Sequence, residues 1–270
     1  MKLYDMHCHA GFAPDAATHL AGLDTLGVVS LVASVTPSEY EVLCGVASAR
    51  PEVTLGLGMH PWWIAQGLCG RDGEDGEDGE KGECNPDAFE AQVARIVKEG
   101  NPRVIAEIGL DFSPKWKDSR EVQVAALRRV LKTCAQTEMP WVYSIHDVKA
   151  DGVLLDAVTE LLNPELSCVV LHSFNGSCEG LHRAIAQGCY FSVGERFLKS
   201  RKGREYLKAL PLERVLLETD LPCHAGSAVS PGEVQRSLLT ALEVLTEHYG
   251  EGTAGVIQKT SEHILAFARS

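Results

Sequence analysis

The segment RVIAEI, Arg103–Ile108, is a short apolar run carrying a single carboxylate, Glu107, near its end. Apolar and polar residues do not alternate in it, and it is too short for an ordinary helix. It reads as a strand buried on both faces, as in a parallel sheet covered by helices. Runs of the same kind recur on either side. Towards the C-terminus they are Trp141–Ile145, Cys168–Leu171, Cys189–Val193 and Val215–Glu218; towards the N-terminus, Leu3–His9, Val28–Ser34 and Val53–Met59. Between them lie stretches with helical spacing: Leu20–Leu26, Ser38–Ala49, Phe89–Lys98 and Val122–Cys134, where Leu127, Val130, Leu131 and Cys134 share a face. Val234, Leu238, Leu242 and Leu245 mark a long helix near the end, and another follows it. Eight such strand–helix units predict an α/β fold, a (β/α)8 TIM barrel. The 270 residues match the ~250 that one barrel needs, so 1–270 reads as a single domain.

Composition narrows the function classes. Hydrophobic residues make up 45% and charged residues 23%, which suits a globular core. The formal net charge of -12 argues against long non-specific tracking along nucleic acid, which needs a basic face. Nine cysteines without a Cys-x-x-Cys pair read as free thiols in a reducing compartment. Met1–His9 carries no signal-peptide pattern, and no apolar run approaches the ~20 residues of a membrane span. The expected location is cytoplasmic, away from membranes, and no feature marks an obligate protein partner. One stretch is unlike the rest. Residues 70–84 read GRDGEDGEDGEKGEC, with glycine at every third position and no proline. A collagen helix wants abundant proline and three chains, so this run is expected to be a flexible acidic insertion, since it cannot bury a core.

Six residues stand at the ends of the predicted strands. His7 and His9 lie in DMHCH, and residues two apart on a strand point the same way. Cys8 between them faces the helices. Glu107 ends the fourth strand, His146 the fifth and His172 the sixth; Asp220 follows the eighth in VLLETDLP. Four imidazoles and two carboxylates therefore converge on the barrel face where such enzymes place their chemistry. These donors suit zinc or another first-row divalent metal. Two metals held ~4 Å apart need a shared carboxylate, and Glu107 is placed to bridge them.

These residues resemble the TatD family of metal-dependent deoxyribonucleases, within the amidohydrolase superfamily. The His-x-His opening, GLGMHPW (56–62), IAEIGLDF (105–112), LHSFNGS (171–177) and LLETDLP (216–222) stand in the family's order over nearly the whole chain. The resemblance implies that His7, His9, Glu107 and Asp220 hold one divalent ion. It implies that Glu107, His146 and His172 hold a second. Zinc is the first expectation, with magnesium, manganese or cobalt as alternatives. His60 is implied to contact a substrate phosphate, and the substrate to be a phosphoester such as a single-stranded DNA end. Two departures bear on that substrate. Val148 stands where the family usually places an arginine, and CHAGSAVSPGEVQRS (223–237) replaces its arginine-rich stretch, leaving only His224 and Arg236 as basic residues.

The chemistry expected is attack of a metal-activated water on an ester, with Glu107 in the metal bridge and Asp220 as general base. No Gly-x-Ser-x-Gly elbow, Walker loop or dinucleotide fingerprint is present. The alternative is a lactonase, carboxylic esterase or amidase using the same dinuclear site, with Trp62, Trp63, Trp116 and Phe174 as pocket lining. A non-catalytic binding protein is the third reading, and it would be favoured by a missing metal ligand.

Overall fold

A computed structural model describes residues 2–66 and 86–270. Its eight strands are β1 (Leu3–Cys8), β2 (Val28–Ala33), β3 (Val53–Met59), β4 (Val104–Asp111), β5 (Trp141–Val148), β6 (Ser167–Asn175), β7 (Tyr190–Val193) and β8 (Val215–Leu217). They form one sheet in sequence order, every neighbour parallel. Beyond β8 the sheet meets its own beginning. The Asp220 N–H donates to the His7 carbonyl at 3.0 Å, and the His9 N–H donates to the Leu221 carbonyl at 2.9 Å. The result is the expected (β/α)8 barrel.

Helices follow each strand and cover the outer face. Asp15, Thr36, Ser177, Ser200 and Ser230 cap helix starts with side-chain acceptors, which satisfies backbone N–H groups that would otherwise lack partners. Helices at Asp151–Leu161, Cys178–Ala186 and Arg201–Leu207 add to those read from periodicity. The run at 70–84 lies outside the described residues. Among the described residues the seven cysteines are free, and no helix is long and apolar enough to cross a membrane.

The barrel interior has two halves. Near the strand starts it is apolar: Met6, Leu31, Val104, Val142, Val170 and Leu216 pack together with Ile264, Leu265 and Ala268 at the chain's end. The helix Thr253–Phe267 plugs this mouth, with the Tyr4 hydroxyl donating to Glu262 at 2.8 Å and the Arg103 N–H to the Ala268 carbonyl at 2.9 Å. Further along the same strands the interior becomes polar.

Register slips on β1 and β4 shape that polar half, and a further one falls on β6 just beyond His172. On β1, Asp5 and Cys8 face Ser30 and Val32, so three steps oppose two. On β4, Ile105 and Ile108 face Leu57 and Met59 on one side and Tyr143 and Ile145 on the other, again three steps against two. A bulge of this kind breaks the alternation of side chains. Met6 and His7 therefore both point inward, and so do Ala106 and Glu107. His7 and Glu107, two of the residues singled out in the sequence, lie within these bulges.

Candidate metal centre

The structure brings all six residues singled out in the sequence around one carboxylate. Glu107 is 1% exposed and sits between two groups of imidazoles. Its Oε1 lies 2.7 Å from His172 Nε2 and 2.9 Å from His146 Nδ1. Its Oε2 lies 3.2 Å from His9 Nε2 and 3.5 Å from His7 Nε2. Asp220 closes the second group, its Oδ1 3.3 Å from His9 Nε2 and 4.0 Å from His7 Nε2. His146 and His172 are direct register partners on β5 and β6, and their facing nitrogens lie 3.3 Å apart.

The placement differs from the sequence expectation in one respect. Glu107, His146 and His172 do not end their strands. They lie within β4, β5 and β6, which run on to Asp111, Val148 and Asn175. Backbone pairing continues past each of them, so the side chains are held with strand pairing on both sides of them.

Each ring is oriented by its other nitrogen. His9 Nδ1 lies 3.2 Å from the Ala33 carbonyl. A carbonyl only accepts, so Nδ1 carries the hydrogen and a neutral His9 turns the Nε2 lone pair to the centre. His7 Nδ1 lies 2.7 Å from Ser144 Oγ, while its Nε2 is buried without a hydrogen-bond partner. Carboxylates back the outer nitrogens of the other two rings. Asp111 Oδ2 stands 3.8 Å from His146 Nε2, and Glu218 Oε2 stands 3.7 Å from His172 Nδ1. Asp111 also accepts from the Trp62 indole at 2.7 Å, and Glu218 from the hydroxyls of Ser173 and Ser192. Asp5, a third buried carboxylate beside the centre, accepts from the Thr219 N–H at 3.0 Å and so anchors the loop that carries Asp220. Burial pushes Asp5 up to about 7. None of these three carboxylates stands out in the sequence, although Asp5, Asp111 and Glu218 all lie within the motifs quoted above.

His60 behaves differently. Its Nε2 points at Glu107 Oε1 from 3.4 Å, and spacing alone would let His60, Glu107 and His146 share an ion. But His60 Nδ1 accepts the Trp62 N–H at 3.1 Å, capping the short helix Pro61–Ala65. That lone pair is in use, so the neutral ring bears its hydrogen on Nε2 and offers a donor there. Burial pushes the ring down to about 4, which keeps it neutral.

The electrostatics call for added positive charge. Burial alone would raise the Glu107 carboxyl, but the surrounding rings of His60, His172 and His146 hold it well below the usual carboxylate range. Asp220 is likewise held low by His9, His172 and His7 against its burial. In return, burial notwithstanding, Asp220 and Glu107 raise His9 to about 10, and Glu107 and Glu218 raise His172. Ionised carboxylates thus draw protons onto imidazoles in a buried nest. A divalent cation would meet the same demand and would also engage the unpartnered His7 nitrogen, so the donor set fits a divalent metal.

Two adjoining clefts open onto this nest, of about 560 and 280 Å³. They share Trp62, His146, His172, Arg196, Asp220 and Cys223. Of the aromatics named from the sequence, Trp62 lines both, Trp63 one and Phe174 the other. Trp116 stacks on Trp62 with centroids 6.1 Å apart.

Comparison with known proteins agrees with this picture. A family model described as TatD related DNase matches residues 4–267. Human deoxyribonuclease TATDN3 is 26% identical over 273 residues, covering 97% of this chain and 93% of that protein. The 3'-5' ssDNA/RNA exonuclease TatD of Citrobacter koseri is 29% identical over 150 residues, which is 54% of this chain and only 56% of that protein. The crystal structure of YJJV, a TatD homologue from Escherichia coli K12, superposes with a TM-score of 0.74 at 21% identity, covering 98% of this chain and 97% of that one. That likeness shows the fold.

Proposed function

We infer, because this chain belongs to the TatD-related DNase family, that it is a metal-dependent hydrolase of phosphodiester bonds and acts on single-stranded nucleic-acid ends. The observation that carries the reading is the split carboxylate of Glu107. One oxygen faces His146 and His172, and the other faces His7, His9 and Asp220. A carboxylate shared in this way is what two neighbouring divalent ions require. His7, His9, Glu107 and Asp220 would hold one, and Glu107, His146 and His172 the other. Zinc is the first candidate, because three or four imidazole and carboxylate donors suit it; manganese, magnesium and cobalt follow. Divalent ions bound here would supply Lewis acidity, which would make hydroxide accessible near neutral pH and polarise a phosphoryl oxygen.

The chain's own residues do the rest. Asp220 is the half-exposed carboxylate of the nest, with a side-chain exposure of 36% against 1% for Glu107. It can reach an attacking water and take its proton, whereas Glu107 cannot leave the centre. His60 presents a neutral Nε2–H to a phosphoryl oxygen and helps hold the group in line. Trp62 and Trp63 offer half-buried aromatic faces on which an unpaired base can stack. The opening is a cleft and the overall charge is -12, which favours a strand end over an extended duplex.

The test is hydrolysis of bis-p-nitrophenyl phosphate and of a short 3'-labelled DNA strand. Metal-stripped protein would be reloaded with Zn²⁺, Mn²⁺, Mg²⁺ or Co²⁺, with Glu107→Gln as control. Metal-dependent cleavage that the variant loses supports the reading. Stoichiometric metal with no phosphodiester cleavage refutes it and turns attention to lactones and carboxylic esters.

A further inference from the structure

We infer that Arg196 is the cation that grips the substrate's phosphoryl group, a specificity-determining role supplied from the β7 side of the barrel; the inference rests on the phosphodiester reading above. Arg196 lies in the short helix Glu195–Lys199 that follows β7. It is one of the few residues lining both clefts, together with the ligands His146, His172 and Asp220. Arg196 is exposed, so a side chain from this position shared by the two clefts can meet a phosphodiester that approaches the metal nest.

The cleft is otherwise poor in available positive charge. Glu195, Glu218, Asp147 and Asp220 all line the larger lobe. Val148, two residues beyond His146 on β5, lines it too and brings no charge. Lys202 is the other ammonium or guanidinium there, but its Nζ donates to the Asn175 carbonyl at 2.9 Å and to Asn175 Oδ1 at 2.8 Å. Arg196, among the described residues, makes no hydrogen bond or ion pair. Its neighbour Glu195 is taken by Lys199 at 2.5 Å. An arginine that leaves all five donors open beside several carboxylates keeps its planar fork for an incoming anion. Guanidinium matches phosphate bidentately, which fixes orientation as well as charge. A neutral carboxylic ester would gain little from it, so the same residue separates phosphoesters from the lactone class.

The test measures binding of thymidine 5'-monophosphate, and of uncharged thymidine, to the metal-loaded full chain by calorimetry. Wild type, Arg196→Gln and Arg196→Lys are compared, with bound metal quantified in each. Loss of a charge-assisted hydrogen bond is expected to weaken the monophosphate roughly tenfold in Arg196→Gln. Arg196→Lys should recover part of that, thymidine affinity should be the same in all three, and metal content should not change. Equal monophosphate affinity in wild type and Arg196→Gln overturns the inference, as does an equal loss for thymidine or a wild type that binds no monophosphate. Arg196-dependent binding in a protein that cleaves no phosphodiester would uphold the grip and refute the reaction.

Discussion

The two ends of this barrel are made from the same strands and do opposite work. At the strand starts, Met6, Val104, Val142 and Val170 bury apolar surface against Ile264 and Leu265 of the last helix. One to four residues further on, His7, Glu107, His146 and His172 bury charge around one carboxylate. The first end gains from burial; the second is held against it, because buried charges cost several kcal/mol each unless paired. The apolar end thus stabilises a site that would not hold itself together, and function and stability should separate along the barrel axis.

Removing Glu107 should have the largest effect. Glu107→Gln is expected to lower phosphodiester hydrolysis at least about a thousandfold, since it removes the charge both ligand groups share; metal content measured on the same protein should fall with it. At the other end, Ile264→Ala should cost about 2–5 kcal/mol of unfolding free energy in urea, as fully buried large-to-small changes do. Its kcat at a permissive temperature should stay near wild type. If Ile264→Ala instead cut kcat while stability held, the division between the ends would be broken.

Smaller effects sharpen the comparison. Glu218→Gln keeps the shape but removes the charge behind His172. It is expected to weaken metal affinity by about 10- to 100-fold, read by competition with a chelating dye, without altering the fold. Ser230→Ala removes the cap of the helix Pro231–Tyr249. It sits on the catalytic rim yet should cost only about 1 kcal/mol of stability and leave turnover unchanged, which would show that the functional end also carries ordinary structural residues.

The fold was legible in the sequence because short apolar runs such as Val28–Ser34 and Val53–Met59, repeated between helical stretches, read as strands buried on both sides. The ends of β4, β5 and β6 were not. Polar residues enter the pattern from Glu107, His146 and His172 onward, mixed with apolar ones such as Leu110 and Phe174, so the strand ends are blurred although the backbone ladder continues. The bulges on β1 and β4 were hidden for a related reason: register belongs to pairs of strands, and one strand's residues do not state it. All six metal-ligand candidates could be read from motif order, and the structure gathers them. Asp111, Glu218 and Asp5 escaped notice because their role lies in standing behind a ring or a loop, which only three dimensions reveal. Arg196 escaped because it sits on a short helix with no motif of its own.

The central claim is that Glu107 is shared between two ions. Crystals of the protein loaded with zinc or manganese, measured at the metal's absorption edge, test it most directly. The expected result is two anomalous peaks ~4 Å apart, one between Glu107, His146 and His172 and one between Glu107, His7, His9 and Asp220. A single peak at full metal loading, or peaks away from the Glu107 carboxylate, would contradict it.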